Sequence, residues 1–200
     1  LERESRVIDA LLAAGATAVR VLGMVARLRE RTDKPLPLMT YYNPLHCFPG
    51  GDAGFAQAAK AAGADGVILP DLPPEEGPEL IAAARAVDLD TVFLVAPTST
   101  PERLAAVGAA ARGFVYAVSV TGVTGARDSL PESVAALVAG AREASGLPVA
   151  VGFGVASAAT AKRVGRVADG VVVGSALVQR LAEEGDVGAL AAELAAGCRR

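Results

Sequence analysis

The sequence predicts an α/β fold, a (β/α)8 TIM barrel in which strands 3 to 8 are present and strands 1 and 2 are missing. Three observations predict it. Six short apolar runs alternate with helical segments at intervals of about one βα unit. Most runs are apolar at nearly every position, as strands buried on both faces are in a parallel sheet. The glycine-rich strand ends come late in the chain, where a barrel holds phosphate. No GxGxxG or P-loop follows the first run, as a doubly wound sheet would have it. A typical barrel has about 250 residues, so six units need about 190, and the chain has 200.

In order, the runs are "LPLMTYY" (36–42), "GVILPDL" (66–72), "TVFLVAP" (91–97), "FVYAVSV" (114–120), "PVAVGFG" (148–154) and "GVVVGSAL" (170–177). Between them, Asp52 is placed to cap "AGFAQAAKAAG", which stops at Gly63. Ser99 or Thr100 caps a helix with Pro101 at its first position, where the missing N–H costs nothing. "LPESVAALVAGAREASG" runs to Gly146. Ser157 opens "AATAKRVGRVAD", and Ser175 starts "SALVQRLAEE". No linker or shift in composition interrupts this pattern, so residues 1–200 read as a single incomplete barrel domain. The chain opens on Leu1, "LERESRVIDALLAAG" reads as a helix from its first residue, and no signal-peptide pattern precedes it. An upstream segment is therefore expected, the chain being processed or excerpted.

Composition narrows the function. With 52% hydrophobic and 20% charged residues the chain can bury a large core. A net charge of −3 offers no basic surface for a phosphate backbone, so no nucleic-acid partner is expected. No apolar run is long enough to span a bilayer. Cys47 and Cys198 lie far apart without CxxC spacing and read as reduced cytosolic thiols. His46 is the one histidine and reads as a loop residue, so no metal site is expected.

The strand ends suggest chemistry. Gly125, Gly154 and Gly174 follow three late strands, and a glycine lets backbone N–H groups approach a ligand closely. Ser175 begins a helix, whose first N–H groups and partial positive charge favour an anion. Together these make a phosphate cup, although each glycine alone reads equally as a tight turn. "TGVTG" supplies hydroxyls at Thr121 and Thr124 ahead of the polar "ARDSLPES". A closing lid and an ordinary βα loop both fit. Lys34, Lys60 and Lys162 lie away from the strand ends, which disfavours a Schiff base. Asp71 is the one carboxylate at a strand's carboxyl end, in "LPDLPPEE". It fits a turn or a contact with another chain. Tyr41, Ile68, Leu94, Tyr116 and Phe153 gather near strand ends, as barrel core or as the lining of an apolar pocket.

The phrases "LMTYYNP", "GVILPDLPPEE", "FLVAPTSTPERL", "GFVYAVSVTGVTGAR", "VAVGFGV" and "ADGVVVGSALV" appear in the order found in the tryptophan synthase alpha family, and the chain resembles it over nearly its whole length. That resemblance implies retro-aldol cleavage of indole-3-glycerol phosphate to indole and glyceraldehyde 3-phosphate, a cytoplasmic step of tryptophan biosynthesis. It implies no cofactor in this subunit. A beta subunit carrying pyridoxal phosphate receives the indole, in an alpha2-beta2 heterotetramer. Positions matching Gly125, Gly154, Gly174 and Ser175 hold the substrate phosphate. Those matching Tyr41, Ile68, Leu94, Tyr116 and Phe153 line the substrate pocket. Thr124 matches a mobile-loop residue that touches the active-site acid, and Asp71 matches a position of subunit communication. The family's catalytic glutamate and aspartate belong to a phrase of the form E-x-G-x-P-x-S-D-P-x-x-D-G, which these 200 residues lack. Glu2 and Glu4 read as helix residues and not as stand-ins. No catalytic residue is assigned, and the 200-residue form is expected to be inactive.

Two alternatives remain. One is another phosphate-binding barrel enzyme, although the strand-end lysines of indole-glycerol-phosphate synthase and the strand-end cysteine of phosphoribosylanthranilate isomerase are not found. The other is a non-catalytic subunit that activates a beta partner.

Overall fold

Glycines and caps bound the helices of the computed structural model, which describes residues 15–118, 132–152 and 154–198. The chain forms two compact units, Leu1–Thr91 and Val92–Arg200.

The first unit contains α1 (Ala18–Arg29), β1 (Pro37–Met39), α2 (Tyr42–His46), α3 (Gly51–Ala61), β2 (Gly66–Ile68), a 3-10 turn (Pro74–Glu76), α4 (Pro78–Ala86) and the start of β3 (Asp90–Val92). The sheet order is β1-β2-β3, with β1 and β2 parallel and Met39 level with Ile68. Leu22, Val25, Leu45, Phe55, Val67, Leu69 and Leu80 form its core. Thr17 caps α1, its hydroxyl accepting from Arg20 N at 3.3 Å. At the other end of α1, the Arg29 guanidinium donates to Gly63 O, Thr32 O, Lys34 O and the Asp65 carboxylate. Asp65 Oδ2 also accepts from Leu36 N at 2.7 Å, which ties the amino ends of β1 and β2 together.

The second unit contains β4 (Leu94–Val95), α5 (Pro101–Ala110), β5 (Val115–Val118), α6 (Glu132–Ser145), β6 (Val149–Gly152), α7 (Ala158–Gly165), β7 (Gly170–Val172), α8 (Ser175–Ala182) and α9 (Val187–Cys198). Its strands run parallel in the order β4-β5-β6-β7. Phe93, Val95, Val115, Val138, Val149, Val151 and Val164 are buried here. The phrase "ADGV" does in this unit what it does in the first. Asp169 Oδ2 accepts from Val149 N at 2.9 Å and from Arg142 Nη2 at 2.8 Å, as Asp65 does from Leu36 N and Arg29. The repeated motif thus fixes strand starts at β2 and β7.

Parallel strands alternating with helices are what the apolar runs predict. Thr100 and Ser157 cap α5 and α7 through their hydroxyls, and Gly146 follows α6 with φ +66°. Three expectations are corrected. Asp52 does not cap α3: Gly50, with φ +84°, begins that helix earlier, and Asp52 sits in its first turn. His46 is not a loop residue but the last residue of α2. The run 91–97 is not one strand. It divides at Phe93 into β3 and β4, which belong to different sheets. The expected helix over 1–15 falls almost entirely outside the described residues.

Candidate functional site

Register within the second sheet builds the candidate phosphate cup. Gly152 of β6 is paired with Val172 of β7. In sequence, Gly154 and Gly174 each come two residues after the members of that pair. Gly154 has φ +69°, a conformation L-residues rarely adopt, so glycine is required there by the backbone. Gly174 differs. Its φ is −121° and its ψ −77°, and a Cβ built on it meets nothing within 4 Å. Packing does not demand glycine at 174, and what the missing side chain leaves is open approach to the backbone. Gly174 is also the N-cap of α8 and no side chain caps that helix. Ser175 is its first residue, and the first N–H groups of a helix lack intrahelical partners and lie at its positive end. Both Gly174 and Ser175 are exposed. Thr121, Thr124, Gly125 and Phe153 lie outside the described residues.

Beside this cup, Leu94 pairs with Tyr116 and Tyr116 with Ala150. Tyr116 is buried, and burial raises its phenol above the ordinary tyrosine value. Its ring leans from the level of Ala150 over Gly152. A Cβ built at Gly152 would lie 2.5 Å from Tyr116 Oη and 2.8 Å from Val172 Cβ. Gly152 is a site residue that sequence reasoning does not single out. The signal was the first glycine of "GFG", but only the register shows which tyrosine needs the space.

In the first unit, Ile68 ends β2 buried, and its carbonyl accepts from Thr40 N at 3.1 Å. Tyr41 is not core: it is 57% exposed and occupies the N-cap of α2. Asp71 has a local task. Both its carboxylate oxygens accept from Tyr42 N, at 3.0 and 3.1 Å. An anion at the N-terminus of α2 is favourably placed, and the contact joins the segments that follow β1 and β2. Sequence reasoning also overlooks a second group in this unit. Tyr42 Oη donates to Asp52 Oδ2 at 2.9 Å and lies 3.3 Å from His46 Nδ1. Burial, then the hydrogen bond to Asp52 and the negative charges of Asp52 and Glu79, push the Tyr42 phenol up to about 12.

The lysines Lys34, Lys60 and Lys162 sit ahead of β1, in α3 and in α7, none at the carboxyl end of a strand. Among the described residues, no group of three or more His, Cys, Asp or Glu side chains could hold a metal ion. No described helix is long and apolar enough to cross a membrane.

Comparison with known proteins covers almost the whole chain. The family model described as tryptophan synthase alpha chain matches residues 6–197. A tryptophan synthase alpha chain of Deinococcus radiodurans is 51% identical over 196 residues, covering 98% of this chain and 72% of that one. A crystal structure of Mycobacterium tuberculosis tryptophan synthase, in an open form with BRD0059 bound, superimposes with a TM-score of 0.86 at 42% identity, over 98% of this chain and 74% of that one. A structure of the Pyrococcus furiosus tryptophan synthase a2b2 complex gives 0.81 at 37% identity, over 92% and 74%. The (β/α)8 barrel class expected from the sequence is the class of these neighbours. The chain spans 63–72% of the length of the curated relatives it matches.

Proposed function

The chain belongs to the tryptophan synthase alpha chain family, and from that premise we propose that its intact polypeptide cleaves indole-3-glycerol phosphate to indole and glyceraldehyde 3-phosphate. The observation that carries the reading is the pairing of Gly152 with Val172 at the carboxyl ends of two adjacent parallel strands, with α8 opening at Ser175 three residues after Val172. A phosphate bound there anchors the glyceraldehyde half of the substrate. That anchoring energy is spent on positioning the carbon–carbon bond for cleavage. Family resemblance supports a phosphate-binding role for Gly125, a mobile-loop role for Thr124 and a substrate-pocket role for Leu94, Tyr116 and Phe153.

Proton transfer is the part these residues do not supply. The family's glutamate moves a proton between the substrate hydroxyl and indole C3, and its aspartate steadies the ring N–H as positive charge develops. General acid–base groups typically contribute about 10²–10⁴-fold each. Neither acid is found among the 200 residues, so residues 1–200 by themselves turn over negligibly. We read the two units as parts of one incomplete barrel domain. Met39 on edge strand β1 is 57% exposed, and Val21, Met24 and Leu28 on one face of α1 are also uncovered, which supports a core completed elsewhere.

The reaction takes no cofactor from this chain. A beta subunit with pyridoxal phosphate is the proposed recipient of indole, in an alpha2-beta2 assembly within the cytoplasm; the Pyrococcus relative was solved in an a2b2 complex. Asp71, holding the N-terminus of α2, is the proposed point of communication with that partner. Assay of indole release tests the reading. The full-length polypeptide should produce indole from indole-3-glycerol phosphate, faster with the beta subunit present, and residues 1–200 alone should not. No indole from the full-length protein, with or without the partner, would overturn it.

A further inference from the structure

One carboxylate in the first unit is left half-used. Asp52 lies in the first turn of α3 with its side chain only 10% exposed. Its Oδ2 accepts from Tyr42 Oη, but its Oδ1 is buried and accepts no hydrogen bond from the described residues. A buried charged oxygen without a donor is costly. His46 Nδ1 lies 3.7 Å from Oδ1, on a ring 67% exposed to solvent. That distance is outside hydrogen-bond range, and a closure of roughly 0.5–1 Å would bring it inside.

We propose that His46 is a proton-operated latch: taking a proton from solvent, it closes onto Asp52 Oδ1 and locks α2 against the start of α3. The charges around it favour that closure. Asp52 faces His46 from α3. Glu79 on α4 adds negative charge at Tyr42. Asp71, after β2, holds Tyr42 N. No positive group opposes the imidazolium in the contacts described: Cys47 donates its thiol to Asn43, and Lys60, at the far end of α3, bonds to Asp88 O. The Tyr42 phenol, pushed up to about 12, keeps its proton in acid and at neutral pH, so it remains the donor to Oδ2 in both states. The tilted Tyr42 and His46 rings, 5.4 Å apart, already set the side chain over its target. The latch acts on the segment that leaves β1, the same segment that Asp71 ties to the end of β2. Lowering the pH therefore orders the carboxyl end of the first sheet.

Hydrogen–deuterium exchange on the full-length polypeptide tests this. Exchange in peptides covering residues 40–53 is measured at pH 5.5 and pH 8 and corrected for the intrinsic pH dependence. The latch predicts protection at least several-fold greater at pH 5.5. His46→Gln and Asp52→Asn should each abolish that gain, while a peptide from β6 behaves alike in all three proteins and shows that they are folded. A gain that persists in His46→Gln, or one unaffected by Asp52→Asn, would overturn the proposal. The readout is independent of indole production, so it stands or fails apart from the proposed reaction.

Discussion

The ring of Tyr116 lies where a side chain at position 152 would be: a Cβ on Gly152 would sit 2.5 Å from Tyr116 Oη and 2.8 Å from its Cε2. Val172 closes the other side, with its Cβ 2.8 Å away. Strand β6 is thus required to carry glycine between a tyrosine on β5 and a valine on β7. Gly152→Ala in the full-length protein should overpack this point and cost about 1–3 kcal/mol, read as a lowered urea midpoint with unchanged slope. A midpoint equal to the parent's would mean that the three side chains do not share this space.

The two cup glycines should respond differently to the same substitution. Gly154 has φ +69°, so Gly154→Ala strains the backbone by about 1–2 kcal/mol. Gly174→Ala meets nothing within 4 Å and should leave the unfolding curve in place. Denaturant titration of both variants checks the contrast, and equal losses would contradict it.

Alkaline stability should be sensitive to Tyr42. Its folded-state phenol is raised to about 12 from the ordinary 10. Between those values the unfolded chain gives up the proton that the folded chain keeps. Stability is therefore fully present below pH 10 and falls as pH rises toward 12. Tyr42→Phe should flatten that decline relative to the parent when unfolding is followed from pH 8 to 11. Tyr116, raised by burial, titrates in both proteins and cancels in the comparison. An identical decline in the two proteins would show that the folded chain does not raise the Tyr42 phenol.

The repeated "ADGV" phrases make a matched pair of predictions. Asp65→Ala removes the acceptor of Leu36 N and Arg29, and Asp169→Ala that of Val149 N and Arg142. Both carboxylates are partly open to solvent, which screens them, so each substitution should cost about 1 kcal/mol rather than the value for a buried pair. Chemical denaturation of the single variants measures this, and a loss at only one of the two positions would break the equivalence.

Much of the architecture was written in local pattern. Runs such as "PVAVG" and "GVVV" are apolar on both faces and became parallel strands. Thr100 and Ser157 announced their helices because a hydroxyl before the first turn has a local partner three residues on. What was not legible depends on contacts between segments. The break at Phe93 carries no glycine or proline, so "TVFLVAP" reads as one strand. Asp52 looks like a cap until Gly50 and Gly51, both at positive φ, start the helix ahead of it. Tyr42, Asp52 and Asp71 find each other across 10 and 29 residues of sequence, a relation no periodicity encodes. At the cup, the glycines were visible in "GFG" and "VGS", but that Gly154 needs its conformation and Gly174 does not required the backbone.

An anion bound where Gly174 leaves the α8 N-terminus open would be displaced by a larger side chain, and steady-state kinetics of Gly174→Val in the full-length protein reads that displacement. A Cβ there meets nothing within 4 Å, so the fold should survive while the added side chain displaces the phosphate. The KM for indole-3-glycerol phosphate should rise about tenfold or more, with an unfolding curve like the parent's. A KM unchanged by that substitution would contradict anion binding there.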